Sequence, residues 1–131
     1  MSNVAKLVIV DDTDKYLLMM RSEHPDFGID PDLPGGTIED DETMVEGMIR
    51  EVYEEAGVTI SPDQAKLIYT GSEYSDHGTE YELFVAKLDT RPEIIMSWEH
   101  SSYEWLDRNE FLVRSRSAKD TYMHMVADKL K

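Results

Sequence analysis

The chain has 131 residues, of which 40% are hydrophobic and 31% charged, so its composition predicts one globular domain over residues 1–131. Acidic residues number 28 against 13 Lys and Arg, and the net charge of −15 argues against nucleic acid polymers and anionic membranes as partners, since both attract basic clusters. No cysteine is present, which excludes disulfides, thiolate zinc sites and cysteine nucleophiles.

The first predicted elements are two strands joined as a hairpin. Residues 4–10 are apolar and rich in β-branched side chains, residues 11–14 supply turn chemistry, and residues 16–20 are apolar again. The polar stretch 22–32 then predicts a surface loop, which ends at the Leu-Pro-Gly-Gly segment 33–36. Loops of this length are often functional.

The strongest helical pattern covers residues 43–56. Asp40 and Asp41 are placed to cap its start, and Gly57 is placed to end it. Four apolar side chains form a stripe at helical spacing, which we expect to pack on a sheet: Val45, Ile49, Val52 and Ala56.

The rest of the chain predicts more strands and a second helix. Strands are expected at residues 66–70, 81–88 and 103–106. A C-terminal amphipathic helix is expected from four apolar residues at helical spacing: Met123, Val126, Ala127 and Leu130. Strands interleaved with two helices indicate an α/β fold in which helices cover a sheet.

Three carboxylates concentrate on the first helix. Glu51, Glu54 and Glu55 follow one another at helical spacing, which predicts a cluster on the face opposite the apolar stripe. Two carboxylates about 4 Å apart repel by roughly 4 kcal/mol at an effective dielectric near 20, and a divalent cation removes that cost. Oxygen ligands favour Mg²⁺ first and Mn²⁺ second. The alternative is a solvated face without function. Gly47, one turn earlier, either leaves room for a ligand or allows close packing.

The wider pattern around this helix is specific. Gly36, Glu42 and the run 50–58 (REVYEEAGV) match the Nudix box at every fixed position, so the segment 34–58 resembles the signature of the Nudix hydrolase family. The resemblance implies the Nudix fold, an α/β/α sandwich around a mixed β-sheet. It also implies hydrolysis of a nucleoside diphosphate linked to another moiety, or of a nucleoside triphosphate that can be a modified one.

The resemblance also implies roles for individual residues. The metal ligands would be Glu51, Glu54 and Glu55. Arg50 would orient the neighbouring carboxylates, and Gly36 would contribute backbone geometry or a metal-binding carbonyl. Glu42 fits a structural partner of Arg50 better than a base.

The general base and the substrate contacts are expected outside the box. Glu99 is the candidate for a base in a later loop, with Glu104 and Glu93 as further candidates, although such a carboxylate is ordinarily just solvated. A phosphate contact is expected from Arg21, unless it serves as a surface ion-pair partner. Base stacking, or alternatively ordinary packing, is expected from Phe27 and Trp98.

Two other functions compete with the enzyme. A non-catalytic nucleotide sensor with a Nudix fold is disfavoured by the intact glutamate set, and a simple acidic cation-binding protein gives the 34–36 loop no role. The expected partner is a small nucleotide or nucleoside diphosphate derivative, and a homodimer is expected from the size of the chain in this family. Because the first ten residues lack a basic start and a cleavage site, we expect a soluble cytoplasmic protein.

Overall fold

A computed structural model describes residues 3–22, 28–75 and 78–130. Within these ranges, seven strands form one sheet. The strands are β1 (Asn3–Val10), β2 (Tyr16–Arg21), β3 (Pro31–Asp32), β4 (Gly35–Thr37), β5 (Ala65–Gly71), β6 (Glu80–Lys87) and β7 (His100–Leu106). The helices are α1 (Met44–Ala56), α2 (Arg108–Arg116) and α3 (Thr121–Lys129), and a 3₁₀ turn covers Pro62–Gln64.

The sheet is mixed and is organised around β1. This strand runs parallel to β6 over its whole length and antiparallel to β4 near its start, and it forms the predicted hairpin with β2. On one side β6 pairs with β5, and on the other β2 pairs with β3 and β7, all antiparallel. The predicted α/β class with a mixed sheet is confirmed.

Alternation along β1 divides the core between the two faces of the sheet. Leu7 and Ile9 belong to a cluster with Val52 of α1, whereas Val8 belongs to a second cluster with Phe111 of α2. Burial of apolar side chains on both faces explains why helices cover the sheet on both sides. No helix in the described ranges has the length and apolar composition that a bilayer-spanning segment requires.

The start of α1 differs from the sequence prediction. Its N-cap is Thr43, whose side chain accepts from the backbone N–H of Glu46, while the Glu46 carboxylate accepts from the backbone N–H of Thr43. This reciprocal capping box outcompetes the predicted caps Asp40 and Asp41, because neither has a glutamate three residues later. Gly57 ends the helix as predicted, with a left-handed φ of 71°.

Two further predictions need correction. The stretch 22–32 is not a surface loop at its end, because Asp30 and Asp32 are buried and β3 pairs with β2. The helix α2 was not predicted, because its apolar side chains are adjacent at 111–113 rather than spaced along one face.

Candidate active site

A cavity of about 490 Å³ opens where α1 meets β4 and the start of β1. Five of the residues that the sequence singles out line it: Gly36, Arg21, Glu51, Glu55 and Glu99. They come from β2, β4, α1 and the segment before β7, so the fold gathers residues that are up to 78 positions apart (99 − 21).

The residues that line this cavity do not include Arg50, Glu54 or Trp98. The Glu54 side chain is half exposed and accepts from Arg50. Trp98 is 86% exposed, and its backbone carbonyl accepts from the Ser22 hydroxyl at 2.7 Å. Phe27 lies outside the described residues.

Arg50 organises the carboxylates beside the cavity. Its Nε and Nη2 donate to the two oxygens of Glu42 at 2.7 and 2.9 Å, a bidentate pair. Its Nη1 donates to Glu51 at 3.0 Å and to Glu54 at 3.1 Å. The Arg50 hydrogen bonds, with a backbone N–H from Glu39, lower the pKa of Glu42 to about 2. Glu42 is therefore an ion-pair partner of Arg50, and it is not among the cavity-lining residues.

Gly36 allows a close approach between β4 and α1. A Cβ atom at this position would lie 2.7 Å from a carboxylate oxygen of Glu51. Only glycine therefore leaves that carboxylate where it stands at the cavity wall.

Gly47 has a packing role. A Cβ atom there would meet Ile38 Cδ1 and would lie 3.0 Å from Glu42 Oε1. Since it is not among the residues lining the cavity, close packing accounts for this glycine better than access for a ligand.

Glu55 does not lie on the helix face opposite the apolar stripe, where the sequence predicts it. Only 3% of the residue is exposed, and its Oε1 accepts from the backbone N–H of Gly35 at 3.4 Å. At 100° per residue, Glu55 lies between Glu51 and buried Val52 around the helix, about 40° from the first and about 60° from the second. The position is thus at the border of the apolar stripe, where the side chain turns towards the sheet.

The surroundings of Glu55 disfavour its charged form. Burial raises the pKa of Glu55 to about 8, with Lys6 acting in the opposite direction and with Asp32, Glu99 and Glu51 adding to the rise. The carboxyl therefore titrates near neutral pH, in the range that suits proton transfer.

A buried polar cluster centred on Asp32 was not predicted from the sequence, and its members Lys6, Arg21 and Asp32 line the cavity. Asp32 accepts from Lys6 at 3.2 Å and from the Tyr122 hydroxyl, pairs with Arg21 at 3.4 Å, and contacts the His100 ring at 3.0 Å. Burial alone would raise the pKa of Asp32, but Lys6, His100 and Arg21 hold it well below its usual range. Lys6 could have indicated this buried cluster from the sequence, because it is the one charged residue in an apolar strand.

The segment before β7 is fixed to the end of α1. Backbone N–H groups of Ile95 and Ser97 donate to the carbonyls of Ala56 and Glu55 at 2.8 and 3.2 Å. These bonds satisfy carbonyls that a helix end leaves open, and they hold Glu99 beside α1.

The two further candidates for the base lie elsewhere. Glu104 is exposed on β7 and pairs with Arg114 at 3.2 Å. Glu93 lines a separate cavity near Gly57 and Leu88. Of the three candidates, Glu99 is the one that lines the cavity with Glu51 and Glu55.

The donor set of the cavity suits a hard cation. Glu51, Glu55 and Glu99 offer carboxylate oxygens, and Glu99 and Glu51 add to the rise in the pKa of Glu55 that burial mainly causes. Among residues 3–22, 28–75 and 78–130, no three acidic or histidine side chains are already gathered closely enough to hold one ion. Glu51 and Glu54 would have to turn from the Arg50 guanidinium to reach one.

A family model agrees with this reading of the chain. The model described as the NUDIX domain matches residues 1–126. Among curated proteins, no sequence matches the chain significantly.

Solved structures with the same fold include a MutT protein from Methanosarcina mazei, at 24% identity and a TM-score of 0.72, with 98% of this chain and 94% of that chain covered. An Ap4A hydrolase from C. elegans, in a binary complex, has 22% identity and a TM-score of 0.72, with 97% and 92% covered. A bifunctional NMN adenylyltransferase/ADP ribose pyrophosphatase from Francisella tularensis, complexed with AMP and a Mn ion, has 24% identity and a TM-score of 0.68, with 95% and 40% covered. At these identities the similarity establishes the fold.

Proposed function

The chain belongs to the Nudix family of hydrolases, and we propose that it is a Mg²⁺-dependent pyrophosphohydrolase of small nucleotide derivatives. The substrate is a nucleoside diphosphate linked to another moiety, or a nucleoside triphosphate, including modified ones. The observation that carries the proposal is the cavity shared by Gly36, Glu51, Glu55 and Glu99, which combines the box with a later carboxylate.

The proposed metal ligands are the carboxylates of Glu51, Glu54 and Glu55, with the backbone carbonyl of Gly36. An ion held there would neutralise the negative charge on the phosphoryl oxygens of the substrate. Without the ion, an acidic chain would repel that charge. Mg²⁺ is the proposed ion and Mn²⁺ the second choice; the F. tularensis relative contains Mn. Arg50 contacts both Glu51 and Glu54 through the same nitrogen, so it holds the two carboxylates next to each other until they turn towards an ion.

We propose Glu99 as the base that takes a proton from the attacking water. It lines the cavity and makes no ion pair with any residue in the described ranges, so its carboxylate is available as an acceptor. The water attacks one phosphorus in line with the leaving group, and a nucleotide or phosphate-bearing product is released. Under saturating Mg²⁺, Glu99→Gln is expected to lower kcat by about 100-fold or more, because general base catalysis contributes roughly that much.

Glu104→Gln is the matched control for Glu99→Gln, because Glu104 is exposed and pairs with Arg114. Its kcat should equal that of the unmodified chain. Full turnover of Glu99→Gln would refute Glu99 as the base.

Substrate contacts are proposed for Arg21 and Trp98. Arg21 lines the cavity and is held by Asp32 and Asp120 at 3.4 and 3.3 Å, so its guanidinium is fixed in place for a phosphate. Trp98 offers an open ring face next to Glu99, on which a base could stack. Phe27 remains a further proposal from the sequence. A cytoplasmic location and a homodimer also remain proposals, and size-exclusion chromatography with light scattering tests the second.

The deciding experiment is a screen for cleavage products, separated by ion-exchange chromatography, with Mg²⁺ or Mn²⁺ and with EDTA as the control, because hydrolysis of a pyrophosphate bond between two groups yields phosphomonoesters and no free phosphate. The panel contains nucleotide sugars, dinucleoside polyphosphates, NADH, ADP-ribose and modified nucleoside triphosphates. We expect turnover of at least one class, abolished by EDTA. Binding without any turnover would instead support the nucleotide sensor, and turnover unaffected by EDTA would contradict the metal role.

A further inference from the structure

His100 is a buried side chain with only one of its two ring nitrogens engaged. The residue is 5% exposed, and Nε2 contacts Asp32 Oδ2 at 3.0 Å. Nδ1 is buried and has no hydrogen-bond partner in the described part of the chain. A buried polar atom without a partner carries a free-energy cost, so such an atom calls for an explanation.

The unpartnered nitrogen faces Glu55. Nδ1 of His100 lies 4.0 Å from Glu55 Oε1, the same oxygen that accepts from the Gly35 backbone N–H. The second oxygen, Oε2, makes no hydrogen bond with any described residue. The ring therefore stands on the Oε1 side of a carboxylate that lines the cavity.

The fold holds the ring at this place. His100 is the first residue of β7 and pairs with Arg21, directly after a shift of register between Met20 and Arg21. Such irregularities re-aim side chains. The next four residues of β7, 101–104, are all exposed, so His100 is the one that turns inward at the start of the strand.

We propose that His100 is a positioning residue for the hydrolysis: its Nε2–H donates to Asp32, which orients the ring, and an Nδ1–H donates to Oε1 of the ionised Glu55 carboxylate, so that Oε2 is presented to the cavity. The inference rests on the proposed function. A movement of about 1 Å brings Nδ1 and Oε1 to hydrogen-bond distance, and contacts of this kind commonly tighten when substrate binds. Without the contact, only the 3.4 Å hydrogen bond from the Gly35 backbone N–H restrains the last torsion of Glu55, which has a broad, two-fold preference.

Two substitutions separate this role from simple core packing. An asparagine amide lies as many bonds from Cα as Nδ1 does, so His100→Asn keeps a polar group opposite Glu55 and loses the contact with Asp32. A glutamine amide reaches as far as Nε2, so His100→Gln keeps the Asp32 contact and loses the one with Glu55. His124, which contacts the Ala118 carbonyl at 2.7 Å, provides the control His124→Gln.

The measurements are kcat, KM, Mn²⁺ binding without substrate, and Tm. We expect His100→Gln to lose about 10-fold or more in kcat and in Mn²⁺ affinity with little change in KM, as is usual for residues that orient metal ligands. His100→Asn should lose clearly less, although its Tm falls as much or more. Equal activities for the two variants, or losses that follow Tm, would overturn the proposal.

A second measurement does not depend on activity or on stable His100 variants. In ¹⁵N-histidine NMR spectra, Glu55→Gln should shift the Nδ1 resonance of His100 and leave His124 unchanged. An unchanged His100 resonance would refute the contact. If the unmodified chain hydrolysed nothing in the screen while this shift was present, the proposed function would fail and the contact would stand.

Discussion

Glu55 occupies a position where burial and function oppose each other. Its pKa rises from an ordinary 4.5 to about 8 in the folded chain, so folding favours the protonated carboxyl. Between these two values the unfolded state loses its proton first, and the side chain increasingly destabilises the fold as pH rises. Without added metal, Glu55→Gln is therefore expected to raise Tm, and the gain should be larger at pH 8 than at pH 5.

The control for this prediction is Glu54→Gln, whose side chain is half exposed. Thermal unfolding at the two pH values checks both variants. A gain for Glu55→Gln that was equal at pH 5 and pH 8 would mean that the buried carboxyl is not the cause.

Gly36 gives a second prediction at the residue scale. In Gly36→Ala the new Cβ atom would stand 2.7 Å from the Glu51 carboxylate, which is the movable end of a side chain. We expect the carboxylate to shift, kcat to fall by about 10-fold or more, and Tm to change little. The comparison is Gly47→Ala, which crowds Ile38 and Glu42 rather than a residue that lines the cavity. Equal kcat values for the two variants would argue against a site at Gly36.

Apart from the candidates Arg21 and Glu99, the sequence revealed only the part of the site that lies close together along the chain. Glu51, Glu54 and Glu55 form a local pattern with Arg50, and a motif of this kind can be read directly. The contacts of Asp32 with Lys6 and His100 span 26 and 68 residues, so they depend on the pairing of strands. No local periodicity reports them.

At the scale of elements, the start of α1 provides a direct test of the capping box. Thr43→Ala removes the acceptor for the Glu46 N–H and should lower the free energy of unfolding by about 1 kcal/mol. Asp41→Ala, at the cap that the sequence suggested, should have no measurable effect, since Asp41 is exposed and lies outside the box. Urea unfolding of both variants checks this, and a larger loss for Asp41→Ala would show that the helix begins earlier.

Elements with strong local periodicity were predicted, and elements defined by their partners were not. The hairpin, α1, β5 and β6 follow from apolar spacing within each segment. β3 and β4 have two and three residues and exist because β2 and β1 pair with them. β7 begins at His100, three residues before its predicted start, because its pairing with β2 extends that far.

At the scale of the whole molecule, the acidic chain depends on a few carboxylates that must stay charged. Asp11 is fully buried at the β1–β2 turn, accepts from Thr13 and Lys15, and accepts from Arg91, which lies 80 residues away. Burial alone would raise the pKa of Asp11, but these donors hold it well below its usual range. A lowered pKa in the folded state stabilises the fold above the unfolded pKa of about 4, and the stabilisation is lost as pH falls below it.

Asp11→Asn is therefore expected to lower the free energy of unfolding at pH 7, and the difference from the unmodified chain should shrink as pH falls towards 3. Asp12→Asn, at an exposed neighbouring position, should show no such trend. Comparing variants at each pH removes the change in net charge of the whole chain. A difference that stayed constant with pH would contradict the role of the charged Asp11 carboxylate.

The glutamates of α1 are proposed to hold a divalent ion that promotes hydrolysis of a pyrophosphate bond. The most direct measurement is kcat of Glu55→Gln under saturating Mg²⁺, with the substrate that the screen identifies and with the unmodified chain beside it. We predict a loss of about 100-fold or more in a variant that stays folded, because the loss of a metal ligand removes the charge stabilisation that the ion would supply. Near-normal turnover of Glu55→Gln would show that Glu55 does not hold a catalytic ion.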